Sequence, residues 1–234
     1  MTTKKRREIR YTNAREVANK HTTMERGAIA LPDEFSLYKI DKGGVRRIDI
    51  LPYVIDKGHE SPGGNPYAQS GFVHYERTYW THRSPGDGGK HYACLQRTFG
   101  EACPVCRWLE KNRSDPRQVE LVAALRAKER QLFNVIDRED DPDGSKMEVK
   151  VWEYSQFLFG KALDAKLKAA DDEDGYERFY YLEGGMTLRV SFDEESMGSN
   201  PFYKAVSIDM KGRKDYPDEL LEKASTLERR LKAM

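Results

Sequence analysis

Three cysteines and a histidine within residues 82–106 have a spacing that is typical of a metal site. They are His82, Cys94, Cys103 and Cys106. The chain has 3 cysteines in all, so every thiol that it contains is in this window. Cys103-Pro-Val-Cys106 is the tight turn that supplies two ligands to a tetrahedral ion. The pattern therefore predicts a structural Zn²⁺ site.

The fourth ligand has to be a histidine, and three histidines are close enough in sequence. They are His74, His82 and His91. His91 is only three residues before Cys94, and residues three apart in a strand point to opposite faces. His82 is separated from Cys94 by a glycine-rich turn and can lie on the neighbouring strand. We therefore predict His82 as the ligand, with His74 as the alternative.

Two other interpretations of these residues stay open. Buried cysteines also occur as simple packing residues. A catalytic zinc is the other alternative, because His74-Tyr75-Glu76 matches half of the deaminase signature, with a carboxylate as the base. However, Ala102 stands where that signature has proline, and Cys94 is surplus to it. We favour a protein that is not an enzyme over a zinc-dependent nucleic-acid hydrolase or deaminase.

Aromatic and basic side chains alternate in several predicted strands. Unpaired bases stack on flat side chains for roughly 1–3 kcal/mol each, while Lys and Arg hold the phosphates. Alternation predicts that Tyr75, Arg77 and Tyr79 share an exposed face and that Trp80, on the face of His82, packs inward. Half-buried packing and solvated helix charge are the alternatives. The predicted nucleic-acid contacts are Tyr75, Arg77, Tyr79, Lys150, Trp152, Tyr154, Phe202, Tyr203 and Lys204 on strands, and Arg107, Lys111, Arg113, Arg126, Lys128 and Arg130 after the cysteines.

The formal net charge of +1 hides a polarised distribution. Residues 1–30 contain eight Lys or Arg and three Glu, whereas residues 171–195 contain nine Asp or Glu and two Arg. The basic segments could therefore bind a polyanion although the whole chain is nearly neutral.

Short apolar or alternating segments separated by Gly and Pro turns predict a mainly β (α+β) protein. Expected elements include a hairpin over 35–55 around Gly43-Gly44, a second hairpin that joins 132–137 to 148–154 through the acidic turn 138–144, and a helix over 156–169. We predict an OB-type antiparallel barrel with a zinc-binding helical insertion. The expected organisation is a basic N-terminal arm at 1–30, a core at 31–214 with the zinc subdomain at about 82–130, and a C-terminal helix at 215–234.

Composition narrows the class of protein. Charged residues make up 34% of the chain and hydrophobic ones 38%, so the surface has to be strongly ionic. No apolar run approaches the ~18 residues that a membrane span requires. Clustered cysteines in an odd number fit a reducing compartment better than a disulfide framework. We expect a soluble protein of the cytoplasm, or of the host-cell cytoplasm if the protein is viral, without a membrane partner.

Beyond the metal ligands, several short segments carry a resemblance to a known family. The chain resembles the zinc-containing single-stranded-DNA-binding, or helix-destabilising, proteins of T-even-type bacteriophages over roughly residues 36–210. The ligand pattern His82, Cys94 and Cys103-Pro-Val-Cys106 has nearly the spacing of that family. The other matching segments are Phe133-Asn-Val-Ile-Asp-Arg-Glu-Asp140, Lys150-Val-Trp-Glu-Tyr154, Phe159-Gly-Lys161 and Ser199-Asn-Pro-Phe-Tyr203.

The resemblance implies a non-catalytic protein that coats unpaired DNA during replication, recombination and repair. In such proteins an OB-fold core and a zinc subdomain form a cationic, aromatic cleft, near which Trp152, Tyr154, Phe202 and Tyr203 would lie here. The family's basic arm mediates cooperative self-association on DNA, and its counterpart here is formed by Lys4, Lys5, Arg6 and Arg7. Replication or recombination proteins are the implied partners. A zinc-ribbon adaptor that binds a protein such as a polymerase subunit remains the alternative.

Overall fold

The computed structural model describes Tyr11, Ala14, Leu227 and residues 36–55, 70–83, 91–197 and 200–224. The protein is mainly β, with a mixed sheet of eight strands, a separate pair of strands and a few short helices. The predicted arm, including Lys4, Lys5, Arg6 and Arg7, lies outside the described residues except for Tyr11 and Ala14. The same holds for the predicted C-terminal helix beyond residue 224, apart from Leu227.

Ten strands are described. They are β1 (Leu37–Tyr38), β2 (Gly44–Leu51), β3 (Tyr53–Val54), β4 (Val73–His74), β5 (Glu76–Arg83), β6 (His91–Ala93), β7 (Lys128–Asp137), β8 (Lys150–Ser155), β9 (Met186–Met197) and β10 (Asn200–Gly212). The main sheet runs β1-β8-β7-β2-β9-β10, and the pair β5-β6 joins it through β7. Strands β3 and β4 form the separate pair.

Strand β7 organises the sheet because it pairs with three other strands. One edge pairs with β8, in a register that sets Arg130 opposite Ser155. The other edge is divided, so that residues 128–133 pair with β5 and residues 134–137 pair with β2. These pairings are antiparallel, whereas β1 runs parallel to β8, and the sheet is therefore mixed.

The expected hairpin over 35–55 is wrong. Strand β1 pairs with β8 rather than with β2, and β2 pairs with β7 and β9. The buried ring of Tyr38 packs edge-on against Trp152, with 5.7 Å between ring centroids. Apolar patterning is enough to predict both strands. It does not predict the partner of β1, because Trp152 of β8 lies more than 100 residues away in the sequence. Antiparallel pairing of β7 with β8 is as predicted.

Five α-helices are described: α1 (Leu95–Phe99), α2 (Pro104–Asn112), α3 (Val119–Leu125), α4 (Lys161–Ala169) and α5 (Leu220–Lys223). The first three lie between β6 and β7 and form the predicted helical insertion. The helix expected over 156–169 begins with a π-helical turn, Gln156–Gly160, in which the Lys161 N–H donates to the Gln156 carbonyl. Within the described ranges, none of the helices is long and apolar enough to cross a membrane.

The largest apolar cluster lies between the main sheet and α4. Leu163 and Leu167 of α4 meet Phe133 of β7 and Trp152 of β8 there, all with at most 1% of their surface exposed. Each such side chain contributes roughly 1.5–3 kcal/mol by leaving water. This core fixes β7 and β8, and β5, which contains His82, pairs with β7.

Candidate metal centre

Three connected elements bring the four predicted ligands together. His82 lies near the end of β5, and Cys94 follows β6 directly and caps the N-terminus of α1. Cys103 is the residue before α2, whose first position is Pro104, and Cys106 lies in the first turn of that helix. Proline at the start of a helix fixes the backbone of the turn. The Cys-Pro-Val-Cys segment therefore presents both sulfurs to the same side.

The distances between the donor atoms match a tetrahedral ion. His82 Nε2 lies 3.4 Å from Cys103 Sγ and 3.5 Å from Cys106 Sγ, and Cys94 Sγ lies 3.4 Å from Cys106 Sγ. All four donor atoms lie within 4.8 Å of one another. Tetrahedral Zn²⁺ bonds of normal length separate N from S by about 3.5 Å and S from S by about 3.8 Å.

A hydrogen bond fixes which nitrogen of His82 can bind a metal. Nδ1 lies 2.8 Å from the carbonyl oxygen of Leu125. Because a carbonyl oxygen can only accept, Nδ1 has to carry the proton, and the lone pair is on Nε2, which faces the sulfurs. Burial lowers the pKa of His82, and this also favours the neutral ring that a metal requires.

The thiols are in an environment that favours a bound cation. Burial raises the pKa of Cys94, and burial together with the neighbouring thiols raises that of Cys106. At Cys103 burial acts in the same direction, but N–H groups of Cys106 and Val105 lower its pKa below the ordinary value. Three thiolates this close repel one another unless a cation lies between them. The buried group can therefore hold a metal ion, and its donors are those of zinc.

The alternative ligand, His74, is not part of this group. It lies on β4 opposite Tyr53, with its ring 4.8 Å from that of Tyr75. Eight residues of extended chain separate it from His82, which corresponds to roughly 26 Å. Among the described residues, the metal-ligating group consists of His82, Cys94, Cys103 and Cys106.

The predicted exposed face of Tyr75, Arg77 and Tyr79 is wrong, because all three side chains have 0% of their surface exposed. Two features that alternation does not reveal explain this. The chain bends at Tyr75, so Tyr75 packs into the main core beside Phe179 and Tyr180, and Tyr79 packs into a separate cluster. Both faces of β5 are also covered, and the Arg77 guanidinium donates to the carbonyls of Thr78 and Thr98. None of the three can stack on a base.

Two more predicted contacts are buried. Trp152 has 0% of its surface exposed and lies between Phe133 and Phe159 in the main core. Arg130 is 6% exposed and is ion-paired with Glu153, which also accepts a hydrogen bond from the Tyr79 hydroxyl at 2.7 Å. Arg130 therefore neutralises a carboxylate instead of lining an open groove.

The remaining predicted contacts are partly or fully accessible. Tyr154 and Tyr203 are half-buried, and the Tyr154 hydroxyl donates to the Tyr203 carbonyl at 2.6 Å. Lys150 is ion-paired with Asp137 and Asp140. The half-buried residues also include Lys128, Phe202 and Lys204, and the exposed ones are Arg107, Lys111, Arg113 and Arg126.

Sequence reasoning did not select Phe157 or Lys161 as contacts. The ammonium groups of Lys161 and Lys204 both lie within cation–π distance of the Phe157 ring. The signal in the sequence was the spacing of four residues between Phe157 and Lys161, which joins side chains on a helix. Nothing in the sequence around Lys204 indicates that β10 brings this side chain to Phe157.

No protein-family model matches this chain, and no curated protein matches it at a significant level.

Proposed function

We propose that this chain is a non-catalytic protein that coats single-stranded DNA during DNA replication, recombination and repair, and that its group of one histidine and three cysteines holds a structural Zn²⁺. The observation that carries the proposal is the complete donor set. Four protein donors meet at tetrahedral spacing and hold α1 and α2 beside β5. A tetrahedral ion bound by four protein ligands has no position left for a reacting water.

In this proposal the zinc positions a cationic surface. We name residues 94–126, from Cys94 to the end of α3, the metal module. Its exposed cations are Arg97, Arg107, Lys111, Arg113, Arg117 and Arg126, of which Arg117 is ion-paired with Asp115. Contacts from Lys and Arg to phosphates give affinity without sequence preference, because every nucleotide has the same backbone. A protein that coats DNA of any sequence requires this property.

The aromatic part of the proposed interface lies on β8 and β10. Tyr154, Phe202 and Tyr203 are half-buried, so part of each side chain remains accessible for stacking. Phe202 and Tyr203 are adjacent on β10 and face opposite sides of the sheet, so DNA that contacts both has to pass over the edge that β10 forms. We further propose that the sheet is an OB-type barrel. The support for this proposal is that β7 pairs with three strands: β8 along one edge, and β5 and β2 along the two halves of the other. A long strand that changes partner in this way is needed where a sheet coils into a small barrel.

The test is binding to fluorescently labelled oligo-dT across a salt series, with zinc content measured on the same preparation. We expect one zinc per chain. We also expect the logarithm of the binding constant for oligo-dT to fall linearly and steeply with the logarithm of the salt concentration, because phosphates that bind Lys and Arg release their counterions. Duplex DNA of equal length is the control and should bind at least about tenfold more weakly, since its bases cannot stack on the rings. Absence of oligo-dT binding at low salt would contradict the proposal.

A protein-binding adaptor is the second candidate, and one observation favours it. Val119 and Leu121 of α3 are 61% and 45% exposed, so both apolar side chains are accessible to a protein partner. An adaptor would bind a replication protein through α3 with no fluorescence change on adding oligo-dT.

The zinc-enzyme alternative has less support. Glu76, the carboxylate of the partial deaminase signature, is fully buried and accepts a hydrogen bond from Thr78. It is six residues before His82 on the same strand, a separation of roughly 20 Å. A general base has to be within hydrogen-bonding reach of the metal-bound water.

A further inference from the structure

Two lysines from different elements meet over one aromatic ring. The Lys161 ammonium lies 4.9 Å and the Lys204 ammonium 5.5 Å from the centroid of the Phe157 ring. Both distances are within the range of cation–π contact. Phe157 belongs to the π-helical turn, and its N–H donates to the Ser155 hydroxyl at 3.2 Å. Such turns are rare interruptions of regular helices and are frequent at functional sites.

A carboxylate is paired with one of these lysines. Glu195 Oε1 lies 3.4 Å from Lys204 Nζ, and the two side chains are 44% and 37% exposed. The register sets Phe202 opposite Glu195 and Tyr203 opposite Glu194. Since directly opposite residues share a face, Glu195 is on the face of Phe202, and Glu194 is on the other face with Tyr203.

We propose that Phe157 is a stacking platform for one unpaired base, that Lys161 and Lys204 bind the adjoining phosphates, and that Glu195 occupies the phosphate position until DNA arrives. This inference rests on the proposed function and adds to it a subsite and a competing anion. Phe157 is half-buried, so its neighbours hold the ring in place. In this proposal the two ammonium groups move from the ring to the adjoining phosphates when a base stacks on it.

The exchange of Glu195 for a phosphate follows from the weakness of exposed ion pairs. Such pairs are screened by salt and lose side-chain freedom when they form. A DNA phosphate brings the same charge, and the strand holds it in place through its other contacts with the protein. Glu195 therefore weakens DNA binding slightly without preventing it, and it keeps small anions away from Lys204.

The platform is tested with two substitutions of Phe157. Phe157→Leu keeps an apolar side chain but removes the flat ring, and we expect affinity for oligo-dT to fall about tenfold. Phe157→Trp keeps a flat ring, and we expect near wild-type affinity, with additional emission that is quenched when oligo-dT binds. Equal melting temperatures for the three proteins would show that the Leu variant is folded.

The competing anion is tested with a matched pair of substitutions. Glu195→Gln and Glu194→Gln remove the same charge from adjacent positions on opposite faces of β9. We expect Glu195→Gln to tighten oligo-dT binding about two- to threefold at low salt and Glu194→Gln to change it less. The difference should disappear at high salt, where both carboxylates are screened.

The outcomes separate the inference from the proposed function. A wild-type protein that binds oligo-dT while Phe157→Leu binds equally well overturns the platform and leaves the proposed function standing. Equal effects of the two glutamine variants overturn the role of Glu195. A wild-type protein that does not bind oligo-dT overturns both proposals.

Discussion

The metal module and the sheet beside it are stabilised by different means. In α2 no residue is buried, and in α1 the buried residue is Thr98. The sheet instead buries a continuous apolar cluster on β2, β7, β8 and α4. Helices of five to nine residues are not stable alone in water. The third helix of the module, α3, buries Val122 and Leu125. The difference predicts that the module depends on the proposed zinc, whereas the sheet depends on its hydrophobic core.

Removing the metal tests this contrast with the largest expected effect. Structural Zn²⁺ supplies free energy on the order of 10 kcal/mol to small domains that it organises. We expect chelation, or Cys106→Ser, to abolish amide protection in residues 95–125 while β7, β9 and β10 keep theirs. Hydrogen exchange read by mass spectrometry measures both regions in one experiment.

The matched control for this experiment is Val105→Ala, which changes the same turn without removing a donor atom. It should retain one zinc per chain and the protection of the module. Protection that stays unchanged after complete removal of the metal would show that the module is held by packing, and the contrast would fail.

A cavity in the core tests whether the sheet is stabilised by its hydrophobic core. Phe133 is fully buried, with its ring 5.6 Å from that of Trp152 and 5.5 Å from that of Phe159. Phe133→Ala should lower the free energy of unfolding by about 4 kcal/mol, because lost burial and the cavity both contribute. Urea denaturation measures the loss, and zinc content should remain one per chain.

Val119→Ala is the control for the core substitution, because it shortens a side chain that is 61% exposed. It should change stability by less than about 0.5 kcal/mol. If Phe133→Ala also released the zinc, the two regions would form one cooperative unit.

The same contrast explains which features could be predicted from the sequence. Few residue types bind zinc, and the turn Cys103-Pro-Val-Cys106 sets its own geometry, so the four donors were identifiable without knowing the fold. The antiparallel pair β7-β8 was equally local, since its strands follow one another in the chain. Features that are determined within a short segment were predicted successfully.

Exposure could not be predicted in this way, because it depends on distant segments. Arg77 was assigned to an open face, but its guanidinium donates to the carbonyl of Thr98, in a helix that begins 18 residues after it. The sequence predicts that Arg130 lines a groove, but its charge is neutralised by Glu153 of the next strand. Alternation shows which residues share a face and does not show what covers that face.

The smallest expected effect concerns a contact that joins the two regions without metal. The Thr98 hydroxyl accepts from the Trp80 N–H at 3.1 Å and lies 3.3 Å from the Trp80 carbonyl, so it connects α1 with β5. Thr98→Val should cost about 1–2 kcal/mol, because the part-buried Trp80 N–H loses its acceptor. Urea denaturation measures this loss, and the rate of zinc transfer to a colorimetric chelator measures the effect on the metal site. Thr98→Ser keeps the hydroxyl and should lose less than half as much. If Thr98→Val also released the metal at once, the hydrogen bonds between α1 and β5 would be as necessary for the structure of the module as the metal ion.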